Sequence, residues 1–187
     1  MTSYMHIRRE QILREADGYL DLAMACADQL PLSASVRNRL AQRALSALAS
    51  VDTCRSNKSR CNYLHGQALR VMERFPEAIE YFESAAELDN ENLHIWLALG
   101  WCHKRVGKLD MAIQSLEEAL AFDPGEAILY YNLACYWSLA NNVKLALEYL
   151  SRAFSIDSDY RDLIGGEHDF DPIRSDPRFQ ELTSVIV

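Results

Sequence analysis

Residues 78–89 read AIEYFESAAELD, residues 112–123 read AIQSLEEALAFD, and residues 146–157 read ALEYLSRAFSID. Laid over one another at a step of 34 residues, they keep side-chain size at a recurring set of apolar positions. Ala78, Ala112 and Ala146 coincide, as do Phe82, Leu116 and Leu150, then Ala85, Ala119 and Ala153. Upstream the same step joins Gly66, Gly100 and Ala134. The step defines three tandem units, 59–92, 93–126 and 127–160. A fixed period of this length marks stacked supersecondary units.

Each unit divides into two helices. Leu64, Ala68, Leu69 and Met72 recur at helical spacing until Arg74-Phe75-Pro76 interrupts. Ala78, Ile79, Phe82, Ala85 and Ala86 then resume the period, and Asp89-Asn90-Glu91-Asn92 ends it. The matching breaks are Gly107-Lys108 and Asp123-Pro124-Gly125 in the second unit, and Asn141-Asn142 and Ser158-Asp159 in the third. Small residues, Gly66 with Ala78 and Gly100 with Ala112, sit where two helices must approach closely. One helical pair cannot bury both its faces, so neighbouring pairs stack into a continuous core.

Trp96-x-x-Leu99-Gly100, followed by Ala112-x-x-x-Leu116, Ala119 and Pro124, resembles the tetratricopeptide-repeat (TPR) pattern. His103 and Leu69 stand where Tyr is usual, Ala134 where Gly is, and Asn90 and Ser158 where Pro is. The resemblance covers roughly the middle half of the chain. It implies an all-α, right-handed solenoid of antiparallel helix pairs, whose first helices line a concave groove.

Outside the units, Ile12, Leu13, Ala16, Tyr19, Leu20, Ala23 and Leu30 predict a helix over about 7–30, broken at Gln29-Leu30-Pro31. A second helix is predicted over about 33–52, so that 1–58 forms a degenerate leading hairpin ending in a polar loop from Asp52 to Lys58. Residues 161–187 form a C-terminal cap. Tyr160 to Ile164 starts a helix that Gly165-Gly166 stops, and Asp176-Pro177 opens a last one with an acidic N-cap. The run Phe170-Asp171-Pro172-Ile173-Arg174-Ser175-Asp176-Pro177-Arg178-Phe179 is similar to a closing motif of many bacterial TPR arrays, which points to a bacterial source.

The 187 residues carry a net charge of −8, which disfavours nucleic acid and anionic membrane as partners. No secretory h-region or membrane-length apolar stretch is evident. Five cysteines, Cys26, Cys54, Cys61, Cys102 and Cys135, lack any Cys-x-x-Cys pair and read as reduced thiols, which suggests a cytoplasmic protein. Cys135 has no base beside it, and the blander reading is a buried hydrophobe. Glu167-His168-Asp169 with Asp171 offers metal-ligand types but lies in a loop where polar residues are expected anyway. No phosphate loop, nucleophile elbow or apolar carboxylate pair occurs. The expectation is a non-catalytic protein without metal or cofactor.

Charge is distributed unevenly. The first helices (59–72, 93–106, 127–140) carry Arg60, Arg70, Lys104 and Arg105 and no acid, whereas the second helices are strongly acidic. Tyr63, Gln67 and Arg70 share one face at i, i+4, i+7, as do Leu97, Trp101 and Lys104. So do Tyr131, Cys135 and Ser138. By the resemblance these faces line the groove, with Arg60, His94 and Asn132 along its rim and Arg105 beside Lys104.

A basic, aromatic groove suits an adaptor that binds an acidic or amphipathic peptide segment of another protein. Gln67 and Asn132 would then bond the peptide backbone. The familiar chaperone-tail clamp of TPR proteins is not expected, because its places hold Tyr63, Gln67, Ala98 and Ile128. The alternative is a TPR-type chaperone for a secreted or unstable cargo, although the Asp-Pro-Arg-Phe ending argues against it. Self-association through the leading hairpin or the tail Val185-Ile186-Val187 is a further expectation. Against all of these stands the ordinary reading, in which Trp101 packs on a neighbouring repeat and the cations solvate a surface.

Overall fold

Glu73, Gly107 and Asn141 stand 34 residues apart, and all three adopt left-handed backbone, with φ of 60°, 77° and 57°. Each ends a helix in the same way. The following N–H reaches back five residues, from Arg74 to the Leu69 carbonyl, from Lys108 to His103 and from Asn142 to Trp137, each at 2.9 Å. This closure satisfies carbonyls that a helix end would otherwise leave unpaired. Gly and Asn accept the conformation readily, whereas Glu73 bears the Cβ penalty. The repeat in the sequence is therefore also a repeat of turns.

The computed structural model describes residues 2–24, 32–51 and 57–184, and among these every regular element is helical. The order is α1 (Thr2–Met24), α2 (Ala34–Leu48), α3 (Lys58–Val71), α4 (Phe75–Ala86), α5 (Leu93–Arg105), α6 (Leu109–Phe122), α7 (Ala127–Leu139) and α8 (Val143–Ile156). A short α9 (Tyr160–Leu163) leads through 3₁₀ turns at Ile164–Gly166 and His168–Ile173 into α10 (Pro177–Thr183). The leading helix starts at Thr2, well before the expected residue 7, because its opening turns lie outside the buried stripe: Tyr4, Met5 and Ile7 are exposed. The expected break at Gln29-Leu30-Pro31, the thiols of Cys26 and Cys54, most of the loop from Asp52 and the tail Val185-Ile186-Val187 lie outside the described residues. No helix among the described residues is long and apolar enough to cross a membrane.

The chain divides into two units, Met1–Cys102 and His103–Val187. In the first, α1 packs on α2, both pack on α3, and α3 pairs with α4. Leu13, Ala16, Leu20, Ala41, Ala44, Leu48, Cys61, Leu64 and Ala68 form its continuous apolar core. At Gly66 the backbone of α3 lies against a side chain of α4. A Cβ placed there would stand 2.6 Å from the ring of Phe82, which is fully buried, so only glycine fits without moving the ring.

In the second unit α7 pairs with α8, α6 lies on α7, and the closing segment folds back onto α7 and α8. Phe170 and Phe179 are at most 2% exposed, and their rings lie 5.5 Å apart. Burial of each such ring stabilises the fold by about 1.5–3 kcal/mol. Asp176 caps α10 by accepting the Arg178 N–H at 2.9 Å, with Pro177 in the first turn where its missing N–H costs nothing.

Candidate functional site

The stripe on α3 begins with Arg60, whose guanidinium lies 3.1 Å from a Glu10 oxygen and 3.3 Å from one of Asp17. Both acids come from α1, one two-turn step apart. Arg60 is thus neutralised within the chain. Next on the face, Tyr63 tilts against Phe82 with ring centroids 5.9 Å apart, and its hydroxyl accepts a 2.6 Å bond from Gln67 Nε2. Burial raises the Tyr63 pKa, and the nearby Asp17 and Asp21 carboxylates add to the rise. Gln67 is buried, and its Oε1 has no hydrogen-bond partner among the described residues.

Arg70 is held differently. Its guanidinium lies over the Trp101 ring at 5.2 Å and donates to Met24 Sδ at 3.0 Å. No carboxylate pairs with it among the described residues. Burial pulls its pKa below the usual arginine value, as expected for a cation facing a ring and a thioether instead of an acid. Trp101 is half-buried and meets Phe75 edge-on at 5.4 Å. Leu97 is half-buried and His94 is exposed, its backbone N–H bonded to Asn92 Oδ1 at 3.2 Å.

In the second unit the predicted residues are engaged by the chain itself. Lys104 Nζ lies 2.5 Å from Asp169 Oδ2 and 5.6 Å from the Tyr136 ring centroid. Tyr131 is only 6% exposed, packed between Tyr160 at 4.9 Å and Phe170 at 5.7 Å. Its hydroxyl is buried without a hydrogen-bond partner among the described residues, and burial drives its pKa far up. Asn132 spends its amide on the Ile128 carbonyl at 2.8 Å, while Arg105 is exposed. The 3₁₀ turn that carries Asp169 and Phe170 covers this face of α7.

Residues 72–135 match the family model described as Tetratricopeptide repeat. Over that stretch the chain is similar to tetratricopeptide repeats. A stretch of 94 residues, 49% of the chain, is 29% identical to the general transcriptional corepressor ssn6 of Schizosaccharomyces pombe (strain 972 / ATCC 24843), and spans 8% of that protein. Among solved structures, YrrB, a TPR protein with an unusual peptide-binding site, superposes with a TM-score of 0.58 at 24% identity. That match covers 71% of this chain and 65% of YrrB, just under two thirds. MamA gives a TM-score of 0.64 at 18% identity, with 82% and 75% covered. These likenesses show the TPR solenoid fold.

The acids with metal-ligand chemistry have other occupations in this chain. Glu167 accepts the Asp169 N–H, Asp169 pairs with Lys104, and Asp171 lies 3.0 Å from Arg174 Nε and 3.2 Å from His168 Nδ1. Among the described residues no group of three or more His, Cys, Asp or Glu side chains is arranged to hold a metal ion. Burial raises the thiol pKa of Cys61, lifts Cys102 to about 11 and drives Cys135 well above the usual range. His103, at the usual Tyr position, is buried and its pKa is lowered first by that burial.

Residues absent from the sequence reading are Glu10, Asp17 and Asp21 of α1 and Met24, whereas Asp169 and Phe170 were read as a metal-ligand type and as part of the closing motif, not as partners of Lys104 and Tyr131. The α1 acids were legible in principle. Counting α1 as a leading first helix would have put Glu10 and Asp17 on one face, and that helix is not acid-free.

Proposed function

We propose that this chain is a protein-interaction scaffold whose docking face in the first unit, built on Tyr63, Gln67, Arg70, Leu97 and Trp101, takes an acidic segment of a partner polypeptide. The observation that carries this reading is the Arg70–Trp101 pair, a half-buried cation stacked on a tryptophan with no carboxylate among the described residues. Such pairs are the residue types that dominate binding hot spots. The reading treats 59–92, 93–126 and 127–160 as the repeat array, between a leading hairpin and a closing cap. A peptide-binding TPR neighbour, YrrB, is consistent with it.

Binding of the purified chain to an array of synthetic peptides of graded charge tests the proposal. Acidic peptides should be retained over neutral and basic ones of the same length, and the preference should shrink as salt is raised. Equal retention across the charge series contradicts the reading.

A further inference from the structure

The closing segment is an internal ligand of the repeat face it covers. A carboxylate, Asp169, meets the cation of α5, and the next side chain, the fully buried Phe170, packs edge-on against Tyr131 of α7 at 82° between ring planes. The Lys104 and Asp169 side chains are 21% and 17% exposed, so the pair is well shielded from water, where a charge-assisted bond is strong.

One repeat earlier the same register reads differently. Arg70 stands at the position of Lys104, Leu97 at that of Tyr131, and Trp101 at that of Cys135. All three belong to the first unit. Arg70 has the setting of Lys104, a cation against an aromatic ring, but lacks the counterpart of Asp169 among the described residues. The thioether of Met24 is a weak acceptor and cannot neutralise it. A cation so placed gains most from an incoming carboxylate, which its planar fork can hold through two parallel bonds. Where Cys135 is small and almost wholly buried, Trp101 is large and half-buried. A partner ring at this place stacks on the indole and does not sink beneath it.

Resting on the docking face assigned above, we propose that Arg70 receives a carboxylate side chain of a partner polypeptide in the way Lys104 receives Asp169, and that an aromatic residue next to that carboxylate lies on Trp101. The partner motif is thus an Asp or Glu adjoining an aromatic residue, the chemistry of residues 169–170.

The closing segment supplies the probe. A capped synthetic peptide copying residues 166–174 is titrated calorimetrically into the full chain, into Arg70→Glu and into Arg70→Gln, the last removing charge without adding an opposite one. Saturable binding to the native chain, weakened at least tenfold in both variants and weakened likewise when the peptide carries Asn in place of the Asp169 equivalent, is the expected result. Circular dichroism of the variants reports whether they fold, and Arg70→Lys should retain part of the affinity. Binding that is undiminished in Arg70→Gln, or no saturable binding up to millimolar peptide, overturns the motif. The wider docking reading fails on a different result, the absence of any acidic preference on the peptide array.

Discussion

Truncating Phe170 to Ala puts the closing segment under the sharpest test. The ring is fully buried and stands 5.7 Å from Tyr131 of α7 and 5.5 Å from Phe179. Removing a ring from such a site costs its transfer free energy and leaves a cavity, about 3–5 kcal/mol together. The two aromatic pairings belong within that range and are not added to it. Urea denaturation of native and variant chains measures the loss. Hydrogen exchange then locates it, because repeat arrays couple mainly to their neighbours and damage stays local. Amides of α7 and α8 should lose protection while those of α1 and α2 keep it. A loss below about 1 kcal/mol, or protection falling equally in α1 and α2, would refute the argument that this segment completes the core of the second unit.

Glu73 in left-handed backbone predicts that Glu73→Gly stabilises the chain by about 0.5–1 kcal/mol, the Cβ penalty offset in part by the greater freedom of glycine when unfolded, measurable by the urea midpoint. Site-resolved alkylation at pH 8, read by mass spectrometry, should leave Cys61, Cys102 and Cys135 unmodified in the native chain, since all three are buried and their thiolates are disfavoured. Asp176 has its pKa pulled down to about 2, first by its bond to the Arg178 side chain and then by the Arg178 N–H it caps. A depressed carboxylate stabilises the folded state above its unfolded pKa of about 3.9. That contribution fades as pH falls toward 2, so protection of α10 should drop across this window and Asp176→Asn should abolish the dependence.

The repeat and its helices were legible because one signal is written three times: side-chain size at a 34-residue step, with breaks at the residues that end each first helix. The start of α10 was legible from Asp176-Pro177, whose local chemistry fixes a helix start. The site was legible only in part. Spacing put Tyr63, Gln67 and Arg70 on one face, and Tyr63 and Gln67 are hydrogen-bonded to each other. It could not show that Lys104 is paired with an acid 65 residues away, or that Tyr131 lies beneath Phe170, because those contacts arise only when the closing segment folds back. The wall was read as basic because α1 was left out of the count, yet α1 supplies the acids that neutralise Arg60.

Capture of proteins from cell extract by the immobilised chain, native against Arg70→Glu with matched helicity, addresses the docking face most directly. The account predicts a set of proteins enriched on the native chain through acidic segments, lost from the variant and eluted by modest salt. The same set retained on Arg70→Glu, and indifferent to salt, would contradict it.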